Sequence, residues 1–112
     1  SVVVKGSLER VRGLIYVKDA AMAIVDSLMA PQTRGQILNI SHPDPVTVGT
    51  ILNTLKVIMK KEDVLVEVVD GTKGDPMYNY ADCSKAVDLI KLAPKYSIEQ
   101  GLRELVSSKA KE

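Results

Sequence analysis

The feature that most constrains this chain is the stretch Arg12-Gly-Leu-Ile-Tyr-Val-Lys-Asp-Ala-Ala21, where the apolar pattern changes period in mid-course. Leu14 to Val17 is a compact run of β-prone apolar residues, and from Lys18-Asp19 onward the apolar positions recur at helical spacing. Strand, tight turn and helix in that order are the unit of α/β proteins with parallel sheets. Ligands of such proteins sit in the crevice beyond the carboxyl ends of the strands, which makes this junction a candidate site.

The remaining sequence limits what the junction can serve. With 112 residues the chain has material for one domain around one core. Cys83 is the sole cysteine and His42 the sole histidine, so neither an internal disulfide nor a structural zinc site is expected. Fifteen basic and fourteen acidic residues nearly cancel, which removes the electrostatic footprint of a nucleic-acid binder and leaves a small phosphate-bearing ligand open. No apolar run approaches the roughly 18 residues of a membrane span, and no basic-then-apolar leader opens the sequence. A cytoplasmic location is therefore expected. Neither Phe nor Trp occurs, so Leu, Ile, Val, Met and four Tyr must fill the core, as is usual where helices pack on a parallel sheet.

Read in order, Val2 to Val4 is a β-branched run ended by Lys5-Gly6, and a loop leads to a second strand over Val11 to Val17. A start directly on an apolar strand suggests that sequence upstream has been removed, although small proteins also start this way. The following helix starts near Asp19 as N-cap, places Ala20, Ala21, Ile24, Val25 and Leu28 on its buried face and stops before Pro31. Ile37 to Ile40 reads as a buried strand pairing in parallel with the preceding one. Thr47 caps a second helix with apolar positions Val48, Ile51, Leu52, Leu55, Ile58 and Met59, and Val64 to Val69 is a further strand. Asp70 to Pro76 must be a loop. Two more helices follow, one capped by Asp82 with Cys83, Ala86, Val87 and Ile90 on one face. The other opens with a capping box from Ser97 to Gln100, carries Ile98, Leu102, Leu105 and Val106, and frays after Ser107.

Few residues carry obvious chemistry. His42 lacks a motif partner and is expected to be structural, and Cys83 on an apolar helix face is expected to be a buried, inert thiol. Asp70 and Asp75 suit either an acid/base pair or ordinary loop turns. No glycine cluster fits a dinucleotide fingerprint or a P-loop. Lys73-Gly74-Asp75 combines backbone amides with a cation, equipment for an anion such as a diphosphate, although a solvated turn has the same composition. Arg12, a guanidinium before a buried strand, suits bidentate contact with phosphate.

The order of these pieces resembles a known family. Gly6-Ser-Leu-Glu-Arg-Val-Arg12-Gly-Leu-Ile-Tyr-Val-Lys-Asp19 is similar to the Gly-Asp-Gly-x-Gln-Val-Arg-Asp-Phe-Ile-Tyr-Val-Asp-Asp segment of extended short-chain dehydrogenases/reductases, with the same spacing. Ile37-Leu-Asn-Ile-Ser41 resembles the family's Tyr-Asn-Ile-Gly strand, and Pro45-Val-Thr-Val precedes a helix as it does there. Gly74-Asp75 is similar to the end of an Arg-Pro-Gly-Asp loop, and Tyr80-Ala-Asp-Cys-Ser-Lys-Ala86 to a Tyr-Ala-Asp-x-Ser-Lys-Ala block. Ala93-Pro-Lys-Tyr-Ser-Ile-Glu-Gln-Gly-Leu102 resembles the terminal Trp-x-Pro-x-x-Ser-Leu-Glu-Glu-Gly-Leu. These blocks lie in the family's order and cover most of the chain.

The resemblance implies an α/β fold, the C-terminal portion of a Rossmann-type extended short-chain dehydrogenase/reductase. Residues 11–40 would be a strand-helix-strand of the parallel sheet layer, and residues 2–10 and 41–112 a small α/β substrate-binding lobe. It implies the substrate-binding part of an NAD-dependent nucleotide-sugar epimerase or dehydratase, in the style of the UDP-glucose 4-epimerases. In that family an N-terminal Rossmann domain, expected to be absent here, holds NAD or NADP and a catalytic Tyr-x-x-x-Lys pair. None of Tyr16, Tyr78, Tyr80 and Tyr96 is followed by Lys at the fourth position, so this chain alone is expected to hold no cofactor and to be catalytically incompetent. By resemblance Arg12 grips the diphosphate of a UDP- or dTDP-sugar and the loop from Thr72 through Lys73 to Asp75 closes over the nucleotide. Lys5 stands where the family has a stacking aromatic residue, and Thr72 where it has Arg, with Lys73 beside it.

The expected partners are thus a nucleotide-sugar, the N-terminal domain and further copies in a homo-oligomer, with no metal, nucleic acid or membrane. Apolar faces left for the absent sheet are expected to be exposed. Two other readings fit the same residues: a non-catalytic regulatory or scaffold relative, suggested by Lys5 and Thr72, and a reductase of the same superfamily acting on a ligand without a nucleotide.

Overall fold

In a computed structural model, which describes residues 1–111, the chain runs β1 (Val2–Lys5), β2 (Val11–Arg12), α1 (Val17–Met29), β3 (Val46–Thr47), α2 (Val48–Ile58), β4 (Val66–Val69), β5 (Tyr78–Asn79), α3 (Ser84–Ile90) and α4 (Ile98–Ala110). A 3-10 turn, Pro31–Thr33, follows α1. Two small sheets organise it. β1 and β4 pair in parallel from Val2 opposite Val66 to Lys5 opposite Val69. β2 is the middle strand of the other sheet, antiparallel to β3 and parallel to β5, with Val11 opposite both Thr47 and Tyr78. The mixed α/β class, the presence of parallel strands and the four α-helices among the described residues agree with the sequence reading, although the strands that pair in parallel are not the ones expected.

Local signals are obeyed where the partner lies a few residues away. Thr47 caps α2, its Oγ1 accepting from the Thr50 amide at 3.0 Å. Ser97 Oγ accepts from the Gln100 amide at 3.1 Å while Gln100 Oε1 accepts from the Ser97 amide at 2.9 Å, completing the capping box of α4. α2 and α4 pack against each other. α4 leaves room for this corner at Gly101, where a Cβ would stand 3.1 Å from Tyr16 Cδ2. The Tyr16 ring in turn meets Tyr96, centroid to centroid at 4.7 Å.

Several expectations are corrected. The strand expected over Val11 to Val17 is only Val11–Arg12, because Gly13 donates the last ladder bond to Asn79 O at 3.0 Å and Val17 is already helical. Ile37 to Ile40 forms no strand: no ladder joins it to a neighbour among the described residues, and in its expected partner strand residues Gly13 to Tyr16 are irregular. Leu38 and Ile40 still pack on the core, while Ile37 is exposed. β3 and β5 were not expected, since two-residue strands are too short to show a period.

Asp19 is not the N-cap of α1; Tyr16 is, with no side-chain bond. Asp19 lies in the helix's first turn, buried, and accepts the amides of Lys95 at 2.9 Å and Tyr96 at 3.0 Å. One carboxylate therefore fastens the start of α1 to the entrance of α4. The buried side of α1 is also not the expected one. Ala20, Ala23 and Ser27 face inward, and Ala23 joins Ala86 and Ile90 in the core, whereas Ala21, Ile24, Val25 and Leu28 are exposed. Small residues won the inward face because they let α1 approach the segment around α3 closely; the larger apolar ones have nothing to pack on among the described residues.

At α3 the N-cap is Cys83 instead of Asp82. Asp82 acts one position earlier, its Oδ1 accepting from the Ser84 amide at 2.9 Å, and that bond holds its carboxyl below the usual range. α4 continues to Ala110, beyond the fraying expected after Ser107. Among the described residues no helix is long and apolar enough to cross a membrane.

Candidate functional site

The parallel pair β1 and β4 ends on one side of the molecule, and both strands leave it through a glycine. Gly6 adopts φ +92°, a left-handed turn that side-chain-bearing residues avoid, and its amide donates to Val69 O at 2.9 Å. Gly71 packs directly on it: a Cβ on Gly71 would lie 3.0 Å from Gly6 Cα. The two strand exits are thereby pressed together, and β2 begins a few residues later in the same corner.

Three side chains meet there. Arg12 donates from Nη2 to Asp75 Oδ1 at 3.0 Å and from Nη1 to its neighbour Val11 O at 2.9 Å. Arg10 donates from Nη1 to the other oxygen, Asp75 Oδ2, at 2.5 Å, and from Nε to Ser7 O at 2.8 Å. The Arg10 guanidinium lies over Gly6, where a Cβ would approach its Cζ to 3.1 Å. Asp75 is held for this by its own turn: its amide donates to Thr72 O at 3.0 Å, and Gly74 supplies φ +89°.

Arg12 and Asp75, two of the residues expected from the sequence, are therefore in contact. Thr72 closes the turn through its backbone carbonyl. Lys5 ends β1 beside Gly6 and Lys73 lies in the turn; both are exposed and neither enters an ion pair among the described residues. Asp75 does not form an acid/base pair with Asp70, since both of its oxygens are occupied by arginines. Arg10 is not among the site residues expected from the sequence. Its signal was present in Arg10-Val11-Arg12, because alternate residues of a strand share a face.

The electrostatics follow from the count of charges. Two guanidiniums share one carboxylate, so the cluster keeps an excess positive charge while its side chains stay partly in contact with solvent. Arg10 Nη2 and Arg12 Nε carry N–H groups with no hydrogen-bond partner among the described residues. Such a corner can hold an anion in fixed orientation.

The other residues weighed for chemistry have structural partners. His42 Nδ1 accepts from the Asp44 amide at 3.0 Å and its own amide donates to Leu14 O, as expected of a loop residue. Cys83 is buried with Sγ 3.4 Å from Ser41 O. No cluster of metal-ligating side chains occurs among the described residues. A largely apolar cavity of about 680 Å³ lies between the start of α1 and α4, lined by Tyr16, His42, Tyr96, Gly101 and Leu105 among others, and it includes none of the arginine cluster.

No family model matches the chain. UDP-glucuronic acid decarboxylase 6 of Arabidopsis thaliana is 32% identical over 91 residues, which are 81% of this chain and 26% of that protein. UDP-glucose 4-epimerase of Thermotoga maritima, solved with UDP-glucose, superposes with a TM-score of 0.88 at 28% identity over 99% of this chain and 35% of its own. UDP-N-acetylglucosamine 4-epimerase of Methanobrevibacter ruminantium M1, solved with UDP-N-acetylmuramic acid, gives 0.87 at 27% identity over 99% and 35%. The chain thus spans only 26% of the curated relative's length and 35% of each of these solved ones.

Proposed function

The chain belongs to the extended short-chain dehydrogenases/reductases, among them NAD-dependent nucleotide-sugar epimerases and dehydratases, and from that premise we propose that it is the C-terminal, nucleotide-sugar-binding part of such an enzyme. The observation that carries the reading is Arg12, held by Asp75 at the shared exit of the parallel strands. Its guanidinium is planar and always charged, and with Nη1 on Val11 O and Nη2 on Asp75 the fork still offers Nε–H to a phosphate oxygen. Asp75 fixes the plane of that fork before the ligand arrives, which lowers the ordering cost of binding. The turn from Thr72 to Asp75, with Lys73 exposed on it, closes the same side.

NAD or NADP is held elsewhere in this reading. This is supported by the lack, among the described residues, of a glycine-rich turn opening a helix, α1 starting at Tyr16-Val17-Lys18, and for the catalytic pair by the lack of a tyrosine with Lys at the fourth position. The chain's own share is to bind and orient the substrate, and the hydride and proton steps belong to residues outside this sequence. The lobe assignment, with residues 11–40 on the cofactor side and 2–10 and 41–112 in the substrate lobe, is part of the same proposal, β2 being the strand that ties the two together through β3 and β5.

Titration calorimetry with UDP-glucose and dTDP-glucose tests it. The chain should bind at least one of them, and Arg12→Ala should weaken that binding at least about tenfold, the worth of a charge-assisted hydrogen bond. Unchanged affinity in Arg12→Ala removes Arg12 from the site.

A further inference from the structure

Resting on the diphosphate reading above, we propose that Arg10 is the second guanidinium of the anion site, that it engages the outer phosphate, and that the site therefore selects a diphosphate over a monophosphate. The geometry points to this in three steps. Arg10 and Arg12 reach the two oxygens of one carboxylate, so Asp75 sets the separation and orientation of the two cationic heads. One carboxylate balances only one of these cations, and like charges held close together in a partly desolvated corner attract a further anion. Arg10 Nη2 and Arg12 Nε both carry N–H groups not used within the described part of the chain, one from each head, which suits a ligand bearing two adjacent anionic groups.

The position of Arg10 is built. Nε is tied to Ser7 O, the guanidinium rests on the bare backbone of Gly6, and Gly71 presses Gly6 from the other strand exit. A side chain on Gly6 would displace it. Thr72 brings no charge to the turn, and Lys73 is exposed and unpaired among the described residues, so neither supplies a fixed second fork. Arg10 does, from the strand side of the corner.

The experiment compares UDP with UMP by titration calorimetry on the chain and on Arg10→Gln, Arg10→Lys and Arg12→Gln, with circular dichroism to verify folding. Arg10→Gln should weaken UDP at least about tenfold and UMP less than about twofold, converting one lost charge-assisted contact into affinity. Arg10→Lys keeps a charge without the fork, and should lower the UDP-to-UMP preference by a smaller factor. Should Arg10→Gln fail to fold, the preference in Arg10→Lys decides alone, and an unchanged preference overturns the proposal. Equal weakening of UDP and UMP, or none, makes Arg10 a strut. If Arg12→Gln weakens UDP in that case, the diphosphate reading survives without the role of Arg10. If the unaltered chain binds neither nucleotide, both fall.

Discussion

The arginine corner and helix α1 meet opposite fates in the same chain. At the corner, nearly every polar group finds its partner within the chain: Arg10 on Asp75 and Ser7, Arg12 on Asp75 and Val11, Asp75 on Thr72. On α1 only the inner side is satisfied, by Asp19 and the alanine seam, while Ile24 is 61% exposed and Leu28 80% exposed on the outer side. The corner is held in shape, and it keeps an excess positive charge and an unused N–H on each arginine head. The outer face of α1 is apolar surface without a cover among the described residues, the kind that marks a contact with another protein surface.

Asp19→Ala removes the buried acceptor of two part-buried amide bonds, from Lys95 and Tyr96, and should cost about 1–3 kcal/mol in urea unfolding. Because Asp19 lies away from the corner, UDP-glucose affinity should survive at temperatures where the variant is folded. Loss of binding in the folded variant would mean that the two regions are coupled.

Gly6→Ala sharpens the account of the corner. It forces a side chain into φ +92° and against Arg10, and should cost about 1–2 kcal/mol while also weakening UDP. Thermal melts paired with calorimetry separate the two effects. A variant that melts lower but binds UDP as before would show that the seat of Arg10 is dispensable.

On the outer face of α1, replacing Ile24 and Leu28 together by Lys should change stability by no more than about 0.5 kcal/mol, since both are exposed. The unaltered chain should self-associate as its concentration rises, and the double variant should be monomeric by light scattering. A clean monomer for both over a wide concentration range would contradict the assignment of this face to a contact.

The smallest effect is a pH dependence at α3. The Ser84 amide holds the Asp82 carboxyl below its ordinary value, so the stabilisation is present above the unfolded pKa and is lost as pH falls through the lower, folded one. The melting-temperature difference between the chain and Asp82→Ala should be constant near neutral pH and vanish in acid. A difference that persists after Asp82 is protonated would assign it to packing. Glu104 behaves alike, lowered first by its hydrogen bond from Lys18.

What the sequence could and could not disclose follows the same division. The caps at Thr47 and Ser97 were legible because donor and acceptor lie within a single turn. The parallel run Val2 to Val4 and the strand ending at Val69 were legible from β-branched composition. The inward face of α1 was not, because Ile24 and Leu28 match the helical period as well as Ala23 does, and only the neighbouring surface decides between them. The same holds for Ile37 to Ile40, whose composition is that of a strand but whose ladder requires a partner. Within the site, Arg12 and Asp75 were named from the sequence, although their mutual contact depends on a fold that brings together residues far apart in the chain. Asp19 shows the converse: a residue read as a local cap that serves a distant loop.

The central claim is that the corner formed by the exits of β1 and β4 and the start of β2 holds a nucleotide diphosphate. Amide chemical shifts recorded while UDP-glucose is added test it most directly. The account predicts saturable shifts concentrated at Gly6, Arg10, Arg12, Gly71 and the turn from Thr72 to Asp75. Shifts confined instead to the cavity around Tyr16 and Tyr96, or none at saturating ligand, would contradict it.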